Sequence, residues 1–201
     1  LVIVGAGLDG RAWRMADLAA VDVFEVDHPA SQADKRARVG GLSPTARSIS
    51  FVPIDLARES LTAALRSAGH DPGVATTWIW EGVIPYLTRA QVESSLAHIA
   101  ACSAPHSTLV ANYQSPSLRA SLGRVAGTAL ARLARRSNPL AREPWRSMWR
   151  PADIDALLRR HGFAAKSDED LATVSRRLEF DPRHTRSLAQ GRVAVATHER
   201  A

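Results

Sequence analysis

The sequence predicts an α/β fold built on a mostly parallel sheet of seven strands, with helices on both faces and the last strand running antiparallel. Short apolar runs rich in Val, Ile, Phe and Trp alternate with longer segments whose apolar residues recur every three or four positions, the pattern of strands joined by crossover helices. The turn Gly5-Ala6-Gly7 directly follows the first apolar run, where an open α/β sheet leaves a crevice. The last two runs are separated by residues 168–180 and a turn around Gly191, and read as a hairpin.

Candidate strands cover residues 1–4, 21–26, 49–54, 75–80, 107–112, 163–167 and 192–197. Between them, residues 12–18, 32–39, 60–68 and 88–101 carry helical spacing, and Thr88 with Gln91 reads as a capping box. After the fifth strand, residues 117–136 place Leu118, Leu122, Val125 and Leu133 on one helical face with arginines elsewhere, a core-packing helix with a solvated side. Residues 137–151 hold three prolines, Trp145 and Trp149, and read as an ordered loop; 115–150 as a whole is expected to be a cap or substrate-side insertion within one domain spanning 1–201. Pro151 opens a helix over 151–161 and Gly162 lies past its end.

A chain of 201 residues suits one α/β domain. The single Cys102 rules out an internal disulfide, and one Cys with seven His makes no four-ligand metal cluster, so no metal is expected. Neither a signal peptide nor an 18-residue apolar run occurs, and a reducing cytoplasmic setting without membrane contact is expected. The net charge of +6 comes from 24 Arg and only two Lys, Lys35 and Lys166, which reads as a compositional bias toward Arg rather than a nucleic-acid surface.

Gly5 and Gly7 are expected to let the backbone come close to a ligand where a Cβ would collide. Glu25 and Asp27, one strand period apart, share a face at the end of the second strand, where an acid can accept from the cis hydroxyls of a ribose. Asp55-Leu56 at the end of the third strand offers an acid and an apolar side chain for an adenine. Dinucleotide and S-adenosylmethionine sites both use this arrangement. A nicotinamide enzyme also needs a proton relay beside the hydride centre, yet Tyr86 and Tyr113 are far in sequence from Lys35 and Lys166 and no Y-x-x-x-K occurs. A seven-stranded sheet ending in a hairpin favours methyl transfer over an NAD(P)-binding oxidoreductase.

Val2-Ile3-Val4-Gly5-Ala6-Gly7-Leu8-Asp9-Gly10-Arg11-Ala12-Trp13-Arg14, Phe24-Glu25-Val26-Asp27-His28-Pro29, Val52-Pro53-Ile54-Asp55-Leu56 and Trp80-Glu81-Gly82-Val83-Ile84-Pro85-Tyr86-Leu87 follow one another in the chain. In that order they resemble the successive motifs of the leucine carboxyl methyltransferase family, in its bacterial branch of S-adenosyl-L-methionine-dependent methyltransferases. Glu143-Pro144-Trp145, Ser167-Asp168-Glu169-Asp170-Leu171 and Gly191-Arg192-Val193-Ala194-Val195-Ala196 extend the resemblance to the whole chain. Gly10 stands where the family usually has Thr, so the working turn is Gly5-Ala6-Gly7.

The resemblance implies a class I methyltransferase fold, a Rossmann-like three-layer sandwich, and S-adenosyl-L-methionine as cofactor. Gly5, Ala6 and Gly7 would approach its methionine part, Asp27 its ribose, Asp55 and Leu56 its adenine, and Glu81 its amino group. Glu25, inside the strand, is expected to be neutralised by Arg11 or Arg14. The implied reaction is O-methylation of a carboxylate or hydroxyl on a small molecule or peptide; no catalytic residue is singled out, and His28 reads as a helix cap. Tyr86, Tyr113, Trp145 and Trp149, with Met148, are candidates for the acceptor side, although core packing explains the Trp residues equally well. The chain opens on its first strand, so the N-terminal lid helices of the family are expected to be missing, which leaves binding without catalysis as an alternative. Amino methylation of DNA or RNA would need Asn/Asp-Pro-Pro-aromatic after strand four, and Glu81-Gly82-Val83-Ile84-Pro85-Tyr86 keeps only Pro-Tyr.

Overall fold

The computed structural model describes residues 1–56, 58–116, 145–179 and 190–199. Its strands are β1 (Val2–Val4), β2 (Asp22–Asp27), β3 (Ser48–Pro53), β4 (Thr77–Trp80), β5 (Thr108–Gln114), β6 (Phe163–Asp170) and β7 (Gly191–His198). They form one sheet in the order β3-β2-β1-β4-β5-β7-β6. β1 to β5 run parallel, and β7 is antiparallel to both neighbours. The expected seven strands and antiparallel last strand are therefore present. Strand order reverses between β1 and β4, which puts a crevice at their carboxyl ends.

The described helices are α1 (Arg11–Arg14), α2 (Pro29–Val39), α3 (Leu61–Ser67), α4 (Arg89–Ala101), α5 (Pro151–Arg160) and α6 (Leu171–Arg177), with single 3₁₀ turns at Ala16–Leu18 and Ile84–Tyr86. The larger core lies on the face carrying Val2, Val4, Trp78 and Trp80, which α3, α4 and α5 cover with Leu61, Leu65, Leu96, Ile99 and Leu157. Each such aliphatic side chain contributes roughly 1.5–3 kcal/mol by leaving water. The opposite face has a smaller core of Ile3, Ala12, Val23 and Ala46 beneath α1.

Caps set the helix boundaries. Thr88 Oγ1 accepts from Gln91 N at 3.2 Å while Gln91 Oε1 accepts from Thr88 N at 2.9 Å, the reciprocal box expected from sequence. His28 caps α2, its Nδ1 accepting from Ala30 N at 3.3 Å, so that helix begins at Pro29 rather than at 32. The helix expected over 12–18 breaks after α1, because the Ala12 carbonyl accepts from Thr45 N and Ala46 N, both at 2.9 Å, instead of continuing the helical ladder. β6 extends past 167 through acidic residues that find partners: Asp168 on Arg192, and Asp170 as the cap of α6 through Thr173 N at 2.8 Å. The helix expected over 117–136, and most of the 115–150 insertion, lie outside the described residues. No helix among the described residues is long and apolar enough to cross a membrane.

Candidate functional site

The turn after β1 is tied to β2 at two levels. Gly5 N and Ala6 N both donate to Val26 O, at 2.8 and 3.0 Å. Gly7 N then donates to Asp27 Oδ2 at 2.5 Å, and the other oxygen of that carboxylate accepts from His28 N at 2.6 Å. Two residues singled out from sequence are thus in direct contact, and Asp27 is fixed by backbone donors on both oxygens while each keeps lone-pair capacity for a ligand.

The two glycines do different things. Both have positive φ, +75° at Gly5 and +45° at Gly7, which favours glycine. A Cβ at Gly5 would sit 2.0 Å from Val83 Cγ2, so this position is needed for close packing against the chain after β4. At Gly7 the nearest atom is the turn's own Gly5 O at 4.0 Å, and the space a side chain would fill is open. Gly10 has negative φ and a Cβ there would meet Arg14 only at ordinary contact distance, so the third glycine of the G-x-G-x-x-G spacing is not required by the backbone.

At the end of β3, Ile54 N donates to Asp27 O at 2.8 Å, joining the β2 and β3 ends. Asp55 follows, its N bonded to Glu59 Oε1 at 2.9 Å and its Oδ2 3.5 Å from Arg58 Nε, while Leu56 packs against the rim of the larger core. At the end of β4, Glu81 is 62% exposed and accepts from Arg11 at 3.0 Å. Arg11 also pairs with Asp9, whose Oδ1 accepts from Arg11 N at 2.7 Å.

Arg11 is therefore not the partner of Glu25. The carboxylate of Glu25 meets Lys35 of α2 at 2.5 Å, and both side chains are almost fully shielded. Lys35 Nζ also lies 5.0 Å from the centre of the Trp13 ring, and Gln32 Nε2 donates to Glu25 O. Burial pushes the Glu25 carboxyl above its ordinary range, against the opposing pull of Lys35.

The four acceptor-side candidates separate into two pairs. Tyr113 is wholly buried; its hydroxyl donates to Asp168 Oδ2 at 2.6 Å and accepts from Arg192 Nε at 3.1 Å. Trp149 is buried with Nε1 donating to Ser147 Oγ at 3.1 Å and the Arg89 guanidinium 4.2 Å above its ring. Tyr86 and Trp145 are the exposed pair, 41% and 38%. Arg146 N donates to Pro85 O at 2.7 Å and Ser147 Oγ to Ile84 O at 3.0 Å, so Tyr86 and Trp145 flank a strap that fastens residues 145–149 to the 84–86 turn. Sequence reasoning missed the Arg11–Glu81 pair, Lys35 as the partner of Glu25 and the packing of Val83 against Gly5; Arg11 stands two residues past Asp9 just after the turn, whereas Val83 had no sequence signal.

The leucine carboxyl methyltransferase family model matches residues 1–100 of this chain. Among curated relatives, a "Putative S-adenosyl-L-methionine-dependent methyltransferase" of Mycolicibacterium vanbaalenii is 43% identical over 114 residues, 56% of this chain and 37% of that protein. A relative of the same description from Mycobacteroides abscessus is 40% identical over 112 residues, 55% of this chain and 36% of its own length. The match thus spans little more than a third of the length of these relatives. Among solved structures, an S-adenosylmethionine-dependent methyltransferase of Methanosarcina mazei superposes with TM-score 0.64 at 13% identity, covering 100% of this chain and 92% of that one. Magnesium protoporphyrin IX methyltransferase of Synechocystis PCC 6803, solved with bound S-adenosylhomocysteine, gives TM-score 0.58 at 14% identity over 98% of this chain and 73% of its own. These likenesses establish the class I methyltransferase fold.

Proposed function

We propose that this chain, which belongs to the leucine carboxyl methyltransferase family through its first hundred residues, acts as an S-adenosyl-L-methionine-dependent methyltransferase on an oxygen of a small molecule or peptide. The observation that carries this reading is the Gly7–Asp27 contact at the point where strand order reverses: an open space over a glycine, beside a carboxylate held by two backbone donors. The donor set fits the cofactor. Asp27 suits a pair of ribose hydroxyls, Asp55 and Leu56 an adenine, and the exposed Glu81 an ammonium. Three carboxylates around one crevice also suit a ligand that carries positive charge.

The bound cofactor supplies a methyl group on a sulfonium, whose leaving thioether needs no acid. What remains for the chain is alignment and exclusion of water. Asp27, fixed on both oxygens, orients the ribose end; the Gly7 space admits the chain of the methionine part; Tyr86 and Trp145, exposed beside the strap, offer apolar surface to the acceptor. His28 is engaged as the cap of α2, which favours a carboxylate as the accepting oxygen, because a carboxylate needs no general base.

Calorimetric titration of the chain with S-adenosylmethionine, S-adenosylhomocysteine, NAD and NADP tests the cofactor. Binding of the first two without the dinucleotides is expected; preferential binding of NAD or NADP overturns the reading. Release of S-adenosylhomocysteine with carboxylate or hydroxyl acceptors tests the reaction, and binding without turnover across a broad acceptor panel would make the chain a cofactor-binding protein.

A further inference from the structure

The strap over residues 145–149 crosses the carboxyl ends of β4 and β5 and is fastened to three elements. Arg146 N and Ser147 N donate to Pro85 O at 2.7 and 3.3 Å, and Trp149 N donates to Gln114 O at 2.9 Å. Arg89, the first residue of α4, closes the third side: its Nη2 donates to Met148 O at 2.8 Å, its guanidinium stands 4.2 Å from the centre of the Trp149 ring, and Asp153 lies 3.5 Å away. Ser147 and Trp149 are buried by these contacts, yet Trp145 and Arg146 stay exposed, and so does Tyr86, the neighbour of Pro85. Two aromatic rings and a guanidinium are thus presented on backbone that is already fixed, so a ligand that meets them has little ordering to bring about. The strap's charge also has one sign. Residues 145–152 hold Arg146 and Arg150, both exposed, and no acid, and no ion pair among the described residues includes either. Arg11 and Arg58, on the cofactor side, are instead paired with Glu81 and Asp55.

Exposed rings beside an unpaired cation are the complement of a flat anion. We propose that the strap selects an aromatic carboxylate as the methyl acceptor, with Tyr86 and Trp145 taking the ring and Arg146 one carboxylate oxygen. This rests on the methyltransferase reading above. The second carboxylate oxygen gives a lone pair to the sulfonium methyl carbon while the C–S electron pair stays on sulfur, leaving a methyl ester and a neutral thioether with no proton moved. Opposite charges cancel in that step, so a surface of aromatic rings that excludes water favours it. Arg89 is a positioning residue in this arrangement, holding the strap from which Trp145 and Arg146 project.

The experiment titrates three matched ligands by calorimetry into the full chain saturated with S-adenosylhomocysteine: 3-phenylpropanoate, 3-cyclohexylpropanoate, whose ring is saturated, and 3-phenylpropanamide, which carries no charge. The wild-type chain is expected to bind the first about 3- to 10-fold more tightly than the second, the range of an aromatic pair, and about 10- to 100-fold more tightly than the third, the range of a charged hydrogen bond. Trp145→Leu or Tyr86→Leu should erase the preference for the aromatic ring and keep the preference for the acid, and Arg146→Gln should do the reverse. All three changes keep the backbone bonds of the strap, and S-adenosylhomocysteine affinity should be unchanged in each. A fall in that affinity would place the altered residue at the cofactor and overturn the inference. Equal binding of the three ligands by the wild-type chain, or no binding of 3-phenylpropanoate at millimolar concentration, overturns it while leaving the cofactor reading intact. A wild-type chain that does not bind S-adenosylhomocysteine overturns the cofactor reading and this inference with it.

Discussion

Lys35 Nζ lies 2.5 Å from Glu25 Oε2 between β2 and α2, with the two side chains 3% and 0% exposed. A buried pair of this kind gains little over apolar residues of the same shape, but removing one partner strands the other. Lys35→Met is therefore expected to cost about 3–5 kcal/mol in denaturant unfolding. The double change Glu25→Gln with Lys35→Met should recover most of that loss. The penalty has a definite pH dependence. Glu25 already has a raised pKa from burial, and losing Lys35 removes the opposing pull, so the folded carboxyl prefers its proton. Stability tied to a raised carboxyl is present below its unfolded value of about 4.3 and is lost as pH rises through the folded one. Lys35→Met should accordingly be closest to wild type in acid and worst at neutral pH; a penalty independent of pH would show that Glu25 is neutral in both.

Gly5 and Gly7 separate folding from binding. Gly5→Ala forces a Cβ against Val83 Cγ2 at φ +75° and should destabilise the fold, with Val83→Ala restoring part of the loss. Gly7→Val meets open space and should cost only the about 1–2 kcal/mol of left-handed backbone strain, while abolishing S-adenosylhomocysteine binding. Thermal melts and calorimetry on the two variants distinguish them. A Gly7→Val protein that still binds would remove the turn from the cofactor site.

Much of this was legible in the sequence because it depends on local chemistry. Apolar runs mark the strands, the glycine turn follows the first of them, and the Thr88 and His28 caps are read from adjacent residues. What was hidden depends on tertiary pairing. Arg11 and Arg14 stand close after the glycine turn and are the partners the sequence offers Glu25, but Arg11 is drawn away by Asp9 and Glu81. The true partner comes from a helix whose buried positions are Gln32 and Lys35, three apart. A helix without an apolar stripe, carrying Gln and one of the chain's two lysines on one side, was the available signal that its inner face meets a polar group. Likewise the sequence marks β6 only to 167, because acidic residues look like a loop until Arg192 and Thr173 are brought opposite them.

Asp27→Asn keeps the shape of the side chain but offers one acceptor oxygen to two backbone donors, Gly7 N and His28 N. Loss of charge toward a ligand and loss of one loop contact act together. S-adenosylhomocysteine affinity should fall by about 1.5–3 kcal/mol, with a smaller change in thermal stability because the loop sits at the surface of the crevice. Unchanged affinity would mean that the carboxylate serves only to close the turn.

Tyr113 gives a spectroscopic test of the strand-end network. Burial, and then donation of its hydroxyl to Asp168, raise its pKa well above that of a free phenol. For a group raised in the folded state, the stabilising contribution is complete below the unfolded value of about 10 and is lost as pH rises through the folded one. Absorbance at the tyrosinate band should therefore show a late alkaline step that coincides with loss of the far-ultraviolet circular dichroism signal, because the phenol ionises only when the β5–β7 contact opens. The chain has just two tyrosines, so Tyr113→Phe identifies the step by removing it. The same variant should lose about 1–2 kcal/mol, since Asp168 keeps Arg192 but gives up one donor. Ionisation of Tyr113 near 10 with the fold intact would show that its hydroxyl is open to solvent and that the exposed Tyr86 and Trp145 are not the only aromatic groups within reach of an acceptor.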